Sequence, residues 1–333
     1  MTRSDEKKSV PNGGLLPSGS SFTESELPDA GLLEGPRNAI EQPLFPIIGV
    51  GASAGGVEAL QILCRSLPST IEAAYIVVLH LAPDHESQLA RILAKSTAMS
   101  VVQVGNDITV EPGTVYVIPP NHYLTLQRGT LHLELMPQPR PLPRAIDRLF
   151  ISLAEEQQER AICIVLTGAD HDGTVGLKAI KAAGGLTIAQ VPETAQHPAM
   201  PESAIDTGLV DYVLPIEKMG EALEGYISRS RLWQMPPFQE PPAEEVHILK
   251  EIVSLLSSRG GGDFRGYKEG MLMRRTKRRM ALLGLPSLDA YVTFLKGNPP
   301  EILALGEDFL IKVTEFFREP AAWKALEQEV IPK

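Results

Sequence analysis

Residues 46–56 read Pro-Ile-Ile-Gly-Val-Gly-Ala-Ser-Ala-Gly-Gly. An apolar run that passes into a glycine-rich turn is typical of a buried strand followed by a helix in a parallel sheet. Two further apolar runs, 74–80 and 161–168, are separated from it and from each other by stretches that include helical patterns. This alternation predicts an α/β fold with a mostly parallel, doubly wound sheet.

A polar residue suited to catalysis stands at the end of each of these runs. Ser53 lies in the glycine-rich turn, His80 ends the second run, and Asp172 follows the third. Because open parallel sheets build their sites at the carboxyl ends of the strands, the three side chains are expected at one edge. A nucleophile, a base and an orienting acid at one edge predict serine hydrolysis.

The turn around Ser53 supports more than one interpretation. Residues 51–55 match the G-x-S-x-G pattern of a nucleophile turn, in which small neighbours let the backbone turn sharply and expose the hydroxyl. A glycine-rich turn with an incidental Ser is the simpler alternative. Residues 49–54 also approximate a dinucleotide fingerprint, but that fingerprint needs an acidic residue at the end of the second strand, where His80 stands.

The acidic and histidine residues also leave alternatives open. Asp170 competes with Asp172 for the orienting role, and either residue is also suited to capping the next helix. His197, in a loop after the following strand, is a minor alternative base. A metal-hydrolase hypothesis is disfavoured because no close-spaced motif such as H-E-x-x-H is present. That hypothesis would use His80, His85, His171, Asp170 and Asp172.

Composition excludes several classes of protein. The chain has 333 residues, of which 43% are hydrophobic, and this is enough for two ordinary domains with a full core. A net charge of −10 disfavours nucleic-acid binding. No stretch is apolar enough to predict membrane insertion or a secretory signal. The two isolated cysteines predict neither a disulfide framework nor a metal site and fit a cytoplasmic location.

Changes in composition divide the chain into four predicted segments. Polar residues 1–43 lack apolar periodicity and are predicted to be disordered. Residues 44–222 form the α/β catalytic domain, which includes a β-hairpin around residues 128–130. Residues 223–244 form a Pro-rich linker, and residues 245–333 form a small all-α domain in which Ser287 caps one helix.

Four blocks of the α/β region together resemble the catalytic domain of the chemotaxis protein-glutamate methylesterases, the CheB type. They are residues 48–56, 78–83, 166–173 and 189–204. The resemblance covers about residues 44–217. It places the nucleophile on Ser53, the base on His80 and the orienting acid on Asp172. It implies cofactor-independent hydrolysis of glutamate methyl esters, and deamidation of glutamine by some members, on the methylated cytoplasmic helices of chemoreceptors.

The chain departs from this family after the third apolar run. Ala169 and Asp170 stand where the family usually has Met-Gly. The backbone amides of Ala54 and Ala169 are candidate oxyanion donors, since an amide donor does not depend on its side chain. Asp170 adds negative charge beside a developing oxyanion, which is expected to slow the reaction or to favour protonation of His80.

The C-terminal part resembles the small helical N-terminal domain of the chemotaxis receptor methyltransferases, the CheR type, in residues 264–280 and 309–320. The resemblance implies that a basic helix faces the acidic receptor, whereas charge alone favours a solvated face. The receptor-docking candidates are Arg274, Arg275, Lys277, Arg278 and Arg279. A chain with weakened catalysis that docks on receptors through this helix is the alternative function.

The same resemblance places Thr314 and Arg318 beside S-adenosylmethionine. The site is incomplete, because the larger transferase domain would start after about residue 330. S-adenosylmethionine and methyl transfer are therefore expected only if such a domain follows.

Overall fold

The computed structural model describes residues 45–68, 70–81, 87–105, 107–137, 144–230, 241–259 and 262–310. Several predictions concern residues outside these ranges. They include the disorder of residues 1–43, the metal-ligand candidate His85, and the cofactor-binding candidates Thr314 and Arg318.

Within the described ranges, ten strands form two sheets. The strands are β1 (Ile47–Ala52), β2 (Ala74–Leu79), β3 (Ser100–Gln103), β4 (Ile108–Thr109), β5 (Thr114–Val117), β6 (His122–Gln127), β7 (Thr130–Leu135), β8 (Ile162–Val165), β9 (Leu186–Gln190) and β10 (Tyr212–Leu214). Seven of them form a parallel sheet in the order β10-β9-β8-β1-β2-β5-β3. The order β4-β7-β6 forms a small antiparallel sheet that contains the predicted hairpin.

Helices cover the parallel sheet and continue beyond it. They are α1 (Gly56–Ser66), α2 (Leu89–Leu93), α3 (Ala145–Gln157), α4 (Thr174–Ala183), α5 (Ala199–Ile205), α6 (Ile216–Ser230), α7 (Ala243–Ser258), α8 (Glu269–Leu283), α9 (Leu288–Gly297) and α10 (Pro299–Phe309). None of the described helices is long and apolar enough to cross a membrane.

The central strands are buried on both faces, which explains their continuous apolar sequences. Every residue of β1 and β2 is buried. Because alternate side chains point to opposite faces, Ile48 and Val50 pack with α1 and α6, whereas Ile47 packs with α3 and α4. Gly51 gives α3 room to approach β1, since a Cβ at this position would lie 2.4 Å from Cγ2 of Ile146.

The order of the strands changes direction at β1. From β1 the chain builds outward through β2, and it later returns to the opposite side of β1 with β8, β9 and β10. The loops that follow β1 and β8 therefore leave the sheet side by side at its switch point. This is where open α/β sheets form their binding crevices.

The structure confirms the predicted α/β fold with a hairpin and a following all-α region. Three short strands, β3, β4 and β10, were not predicted. The linker boundary needs correction, because α6 extends to Ser230 and residues 223–230 are helical. Ser287 caps α9 as predicted, with Oγ accepting a hydrogen bond from the amide of Ala290 at 3.2 Å.

Helices α7–α10 have their own apolar core, which includes Leu249, Ile252, Phe264 and Tyr291. Helix α8 also packs against α6 of the α/β region. Tyr212 Oη donates to the carbonyl of Leu282 at 2.9 Å. The all-α region is therefore docked on the strand β10 side of the sheet.

Candidate active site

The turn after β1 holds Ser53 between two neighbouring backbone segments. Its amide donates to the carbonyl of Thr167 at 2.9 Å, and its carbonyl accepts from the amide of Gly56 at 2.8 Å. Gly55 adopts φ +75°, a left-handed conformation that glycine accepts at little cost. The turn can therefore pass at once into α1 and leave the Ser53 side chain at the sheet edge.

The loop after β8 lies directly against this turn. A Cβ added to Gly168 would lie 2.9 Å from the Cβ of Ser53 and 1.9 Å from Sδ of buried Met200. The amide of Met200 donates to the carbonyl of Gly168 at 3.0 Å, which ties the start of α5 to the same loop. The absence of a side chain at Gly168 is what allows the two loops to meet.

The structure brings Ser53, His80 and Asp172 into one hydrogen-bonded row. Oγ of Ser53 lies 3.1 Å from Nδ1 of His80. On the far side of the ring, Nε2 of His80 lies 2.9 Å from Oδ2 of Asp172. When the ring carries its proton on Nε2, Nδ1 presents a lone pair to the Ser53 hydroxyl. This is the tautomer that a general base requires.

The carboxylate of Asp172 makes four hydrogen bonds with described residues. Besides His80, it accepts from the amide of Gly173 and from the amides of Ile146 and Asp147, each at 2.9 Å. The last two amides lie in the first turn of α3, whose unpaired donors favour a negative charge. The side chain of Asp172 is 1% exposed, so packing and these hydrogen bonds hold the carboxylate in its orientation toward His80.

Asp170 is a second carboxylate on the same imidazole. Its Oδ2 lies 3.1 Å from Nδ1 of His80, the nitrogen that also faces Ser53. Its Oδ1 accepts from the amide of Asp172 at 3.1 Å. The two carboxylates therefore have different places: Asp172 is buried behind the ring, and Asp170 is 40% exposed on the Ser53 side.

The charges around His80 strengthen its hold on a proton. Burial alone would lower the pKa of His80, but hydrogen bonds and charge from Asp170 and Asp172 outweigh it and raise the pKa to about 9. Burial alone would raise the pKa of Asp170, but the hydrogen bond with His80 outweighs it and holds that pKa below the usual value. Burial raises the pKa of Asp147, which lies beside Asp172.

Two further side chains hold the turn that contains Ser53, and neither was predicted from the sequence. Oγ1 of Thr167 accepts from the amide of His197 at 2.8 Å and lies 3.0 Å from the carbonyl of Ala54. Gln190 Oε1 accepts from the amide of Thr167 at 2.9 Å. The signal in the sequence was a Thr just after the apolar run of β8 and a Gln at the end of β9, because buried polar groups need partners.

The structure gives the minor alternatives less support. His197 enters the site through its backbone, whose carbonyl accepts from the amide of Gly168 at 2.9 Å. No group of three His, Cys, Asp or Glu side chains in the described ranges could hold a metal ion. The backbone amides of Ala54 and Ala169 make no hydrogen bond with another described residue, so both stay available as oxyanion donors.

The five basic residues of α8 expected to dock on a receptor have partners within the chain. Arg278 is 2% exposed and pairs with Asp211 and Asp308. Arg274 pairs with Glu159, Lys277 with Glu245 and Arg279 with Glu301. Arg275 donates to the carbonyl of Asp308. Arg274 and Arg278 thus pair with acids of the α/β region, whereas Lys277 and Arg279 pair with acids of the all-α region. Docking of α8 on a receptor stays a prediction.

A Ser–His–Asp row at the carboxyl edge of a parallel sheet is the arrangement of a serine hydrolase. The comparisons with known proteins narrow this class. Residues 48–223 match the family described as CheB methylesterase. Residues 248–310 match the all-alpha domain of the CheR methyltransferases. The chain belongs to the CheB methylesterase family and carries a CheR-type all-α domain after it, which confirms both resemblances.

Individual relatives agree with this assignment. A 104.1 kDa protein of Rhodobacter capsulatus is 37% identical over 264 residues, which are 73% of this chain and 28% of that protein. Protein-glutamate methylesterase/protein-glutamine glutaminase 6 of Anaeromyxobacter dehalogenans is 38% identical over 190 residues, 55% of this chain and 54% of that protein. This chain thus spans about half or less of these two curated relatives.

A solved structure shows the same fold. The catalytic domain of the CheB methylesterase from Thermotoga maritima aligns with 54% of this chain and 97% of its own, with 32% identity and a TM-score of 0.50.

Proposed function

We propose that this chain is a serine hydrolase that removes methyl groups from glutamate methyl esters on chemoreceptors. The observation that carries the proposal is the row Ser53–His80–Asp172, whose polar atoms are 3.1 Å and 2.9 Å apart. Family membership supplies the substrate class, and relatives named as protein-glutamate methylesterases support it. The reaction needs no cofactor.

In the first half-reaction Oγ of Ser53 attacks the carbonyl carbon of the ester, and Nδ1 of His80 takes the hydroxyl proton. Asp172 stabilises the imidazolium that forms and keeps the ring oriented. The amides of Ala54 and Ala169 are proposed to bind the oxyanion of the tetrahedral intermediate. His80 then returns its proton to the departing methoxide, so that methanol leaves and an acyl ester remains on Ser53.

In the second half-reaction water replaces methanol. His80 accepts a proton from water as the water oxygen bonds to the acyl carbon, and it gives that proton to Oγ as the bond to Ser53 breaks. The products are a glutamate carboxylate and free Ser53. An amide passes through the same steps with ammonia as the leaving group, so we include glutamine deamidation in the proposal, as named for the Anaeromyxobacter relative.

The proposed partner is the cytoplasmic helical part of a methylated chemoreceptor. A glutamyl ester on a helix reaches outward from a protein surface, so its site has to be accessible. A small depression adjoins His80, lined by residues that include Leu81, Pro119 and His122. Such a shallow site suits a side chain presented by another protein better than a free small molecule.

The test is methanol release from a methylated receptor cytoplasmic fragment. The parent chain should release methanol, and Ser53→Ala should release none above background, because among the described residues no other hydroxyl or thiol is hydrogen-bonded to His80. Ser258→Ala, at an exposed position on α7, is the matched control and should keep full activity. Hydrolysis that survives Ser53→Ala would refute the assignment of the nucleophile. A folded parent that releases no methanol would refute the proposed activity.

A further inference from the structure

The site holds one carboxylate more than a Ser–His–Asp row requires. Ser53 Oγ and Asp170 Oδ2 lie at the same distance, 3.1 Å, from Nδ1 of His80. A neutral ring that donates from Nε2 to Asp172 has only a lone pair on Nδ1. That lone pair can accept from the Ser53 hydroxyl, but it repels a carboxylate. The carboxylate of Asp170 can accept a hydrogen bond only from a ring that carries a proton on both nitrogens.

Building on the proposed function, we propose that Asp170 is a positioning residue that holds a proton on Nδ1 of His80. Ser53 and Asp170 then compete for this nitrogen, and His80 can act as a base only after that proton has left. The resting site is an imidazolium between two carboxylates, with Ser53 Oγ as an acceptor. In the active state, His80 is a neutral imidazole whose Nδ1 accepts a hydrogen bond from the Ser53 hydroxyl.

The backbone supports this placement of Asp170. Its Oδ1 accepts from the amide of Asp172, which closes a turn and aims Oδ2 at the ring. The side chain is 40% exposed, so it stays solvated on its outer side while it contacts His80, which is 14% exposed. A carboxylate in this position retains its charge and favours the charged form of its partner.

Other titratable groups approach His80 from every side, and they do not offer an alternative partner for Nδ1 among the described residues. Asp172, behind the ring, binds the opposite nitrogen. Asp147, in the first turn of α3, interacts with Asp172 and with Arg144. His171 acts on Asp170. His122 shares the depression beside His80, but its Nδ1 bonds the carbonyl of Pro120 at 2.7 Å.

The consequence is an alkaline shift of the pH profile. The pKa of His80, raised to about 9, means that only about one molecule in a hundred carries the neutral base at pH 7. Removing the charge of Asp170 should lower that pKa by about 1–3 units. The base is then free in a larger fraction of molecules at neutral pH, so removal of a carboxylate should accelerate the enzyme there.

The first measurement is an NMR titration of the His80 ring in the full chain, with its signal assigned by loss in His80→Gln. The variants are Asp170→Asn, which keeps the shape, and Asp170→Gly, which removes the side chain. Asp107→Asn is the matched control, because Asp107 pairs with His132 at 3.0 Å on the separate hairpin sheet. Both Asp170 variants should lower the midpoint of His80, and the control should leave it unchanged.

The second measurement is kcat/KM for methanol release against pH. In both Asp170 variants the midpoint of the kcat/KM profile should move to lower pH together with the midpoint of the NMR titration. At pH 7, kcat/KM should rise about 10-fold or more. An unchanged His80 midpoint, or a midpoint of kcat/KM that does not follow it, would overturn the role of Asp170. A parent that shows no hydrolysis at any pH would refute the proposed function instead, and the NMR titration would still decide where Asp170 places the proton.

Discussion

Arg278 on α8 donates a hydrogen bond to the carboxylate of Asp211, and each side chain is 2% exposed. Asp211 directly precedes β10 and also binds the amide of Thr187 in β9. Asp308 on α10 and Lys181 on α4 complete a buried group of two cations and two anions. The all-α region is therefore joined to the edge of the parallel sheet by charge that water does not screen.

Arg278→Met should destabilise the whole chain, because it removes the buried cation that pairs with both Asp211 and Asp308. Loss of one partner of a buried pair costs about 3–5 kcal/mol in the free energy of unfolding. Urea unfolding followed by circular dichroism measures this loss. Arg265→Met is the control, since Arg265 is 79% exposed and should leave the unfolding midpoint unchanged. Equal midpoints for the parent and Arg278→Met would contradict this role.

The same group predicts sensitivity to acid. Burial raises the pKa of Asp211, but the charges of Arg278 and Lys181 outweigh it and lower the pKa to about 2. Because the pKa of Asp211 in the folded protein lies below the unfolded value of about 3.9, the ionised carboxylate stabilises the fold fully above about pH 4. This stabilisation is lost as the pH falls through about 2. Unfolding free energies measured from pH 6 to pH 2 should therefore fall less steeply for Asp211→Asn. A parallel decline in parent and variant would exclude Asp211 as the source.

The fold was largely predictable from sequence because its central strands are buried on both faces. Their apolar runs identify them without tertiary information. Because parallel strands end at the same edge of a sheet, Ser53, His80 and Asp172, which follow those runs, were expected to lie close together. Edge strands β3 and β10 carry exposed or half-buried residues, so their sequences lack this signal.

Contacts between distant parts of the chain were not predictable in the same way. A basic helix that is solvated and one that pairs with buried acids have the same composition, so only the structure shows that Arg278 lies between Asp211 and Asp308. The sequence placed Asp170 near the site but did not determine which nitrogen of His80 it faces. That relationship depends on the path of the loop after β8.

Asp172→Asn should reduce kcat by about 10³–10⁴-fold while the chain remains folded. An amide in place of the carboxylate no longer stabilises the imidazolium, and an NH₂ group facing Nε2 of His80 would favour the wrong tautomer. Methanol release under saturating substrate measures the effect, with far-ultraviolet circular dichroism as the check on folding. Retention of more than about a tenth of the parent kcat would show that Asp170 or another group can take over the orienting role.

Gly168→Ala should impair catalysis through the position of Ser53. The added Cβ would lie 1.9 Å from Sδ of Met200 and 2.9 Å from the Cβ of Ser53, so the loop after β8 has to move away from the nucleophile turn. A displacement of about 1 Å can cost about 10²-fold in rate. Gly105→Ala is the matched control, because a Cβ there meets nothing within 4 Å. Equal kcat/KM for the two variants would contradict the prediction.

Thr167→Val should weaken both stability and activity, because the variant keeps the shape of a buried side chain and removes its hydroxyl. The amide of His197, which donates to Oγ1 at 2.8 Å, loses its partner, as does the carbonyl of Ala54 at 3.0 Å. An unsatisfied buried group costs about 1–3 kcal/mol. Thr167→Ser retains the hydroxyl and should recover most of kcat/KM, although it removes a methyl group. If Thr167→Ser loses as much activity as Thr167→Val, the packing of the methyl group, and not the hydrogen bonds of Oγ1, fixes the nucleophile turn.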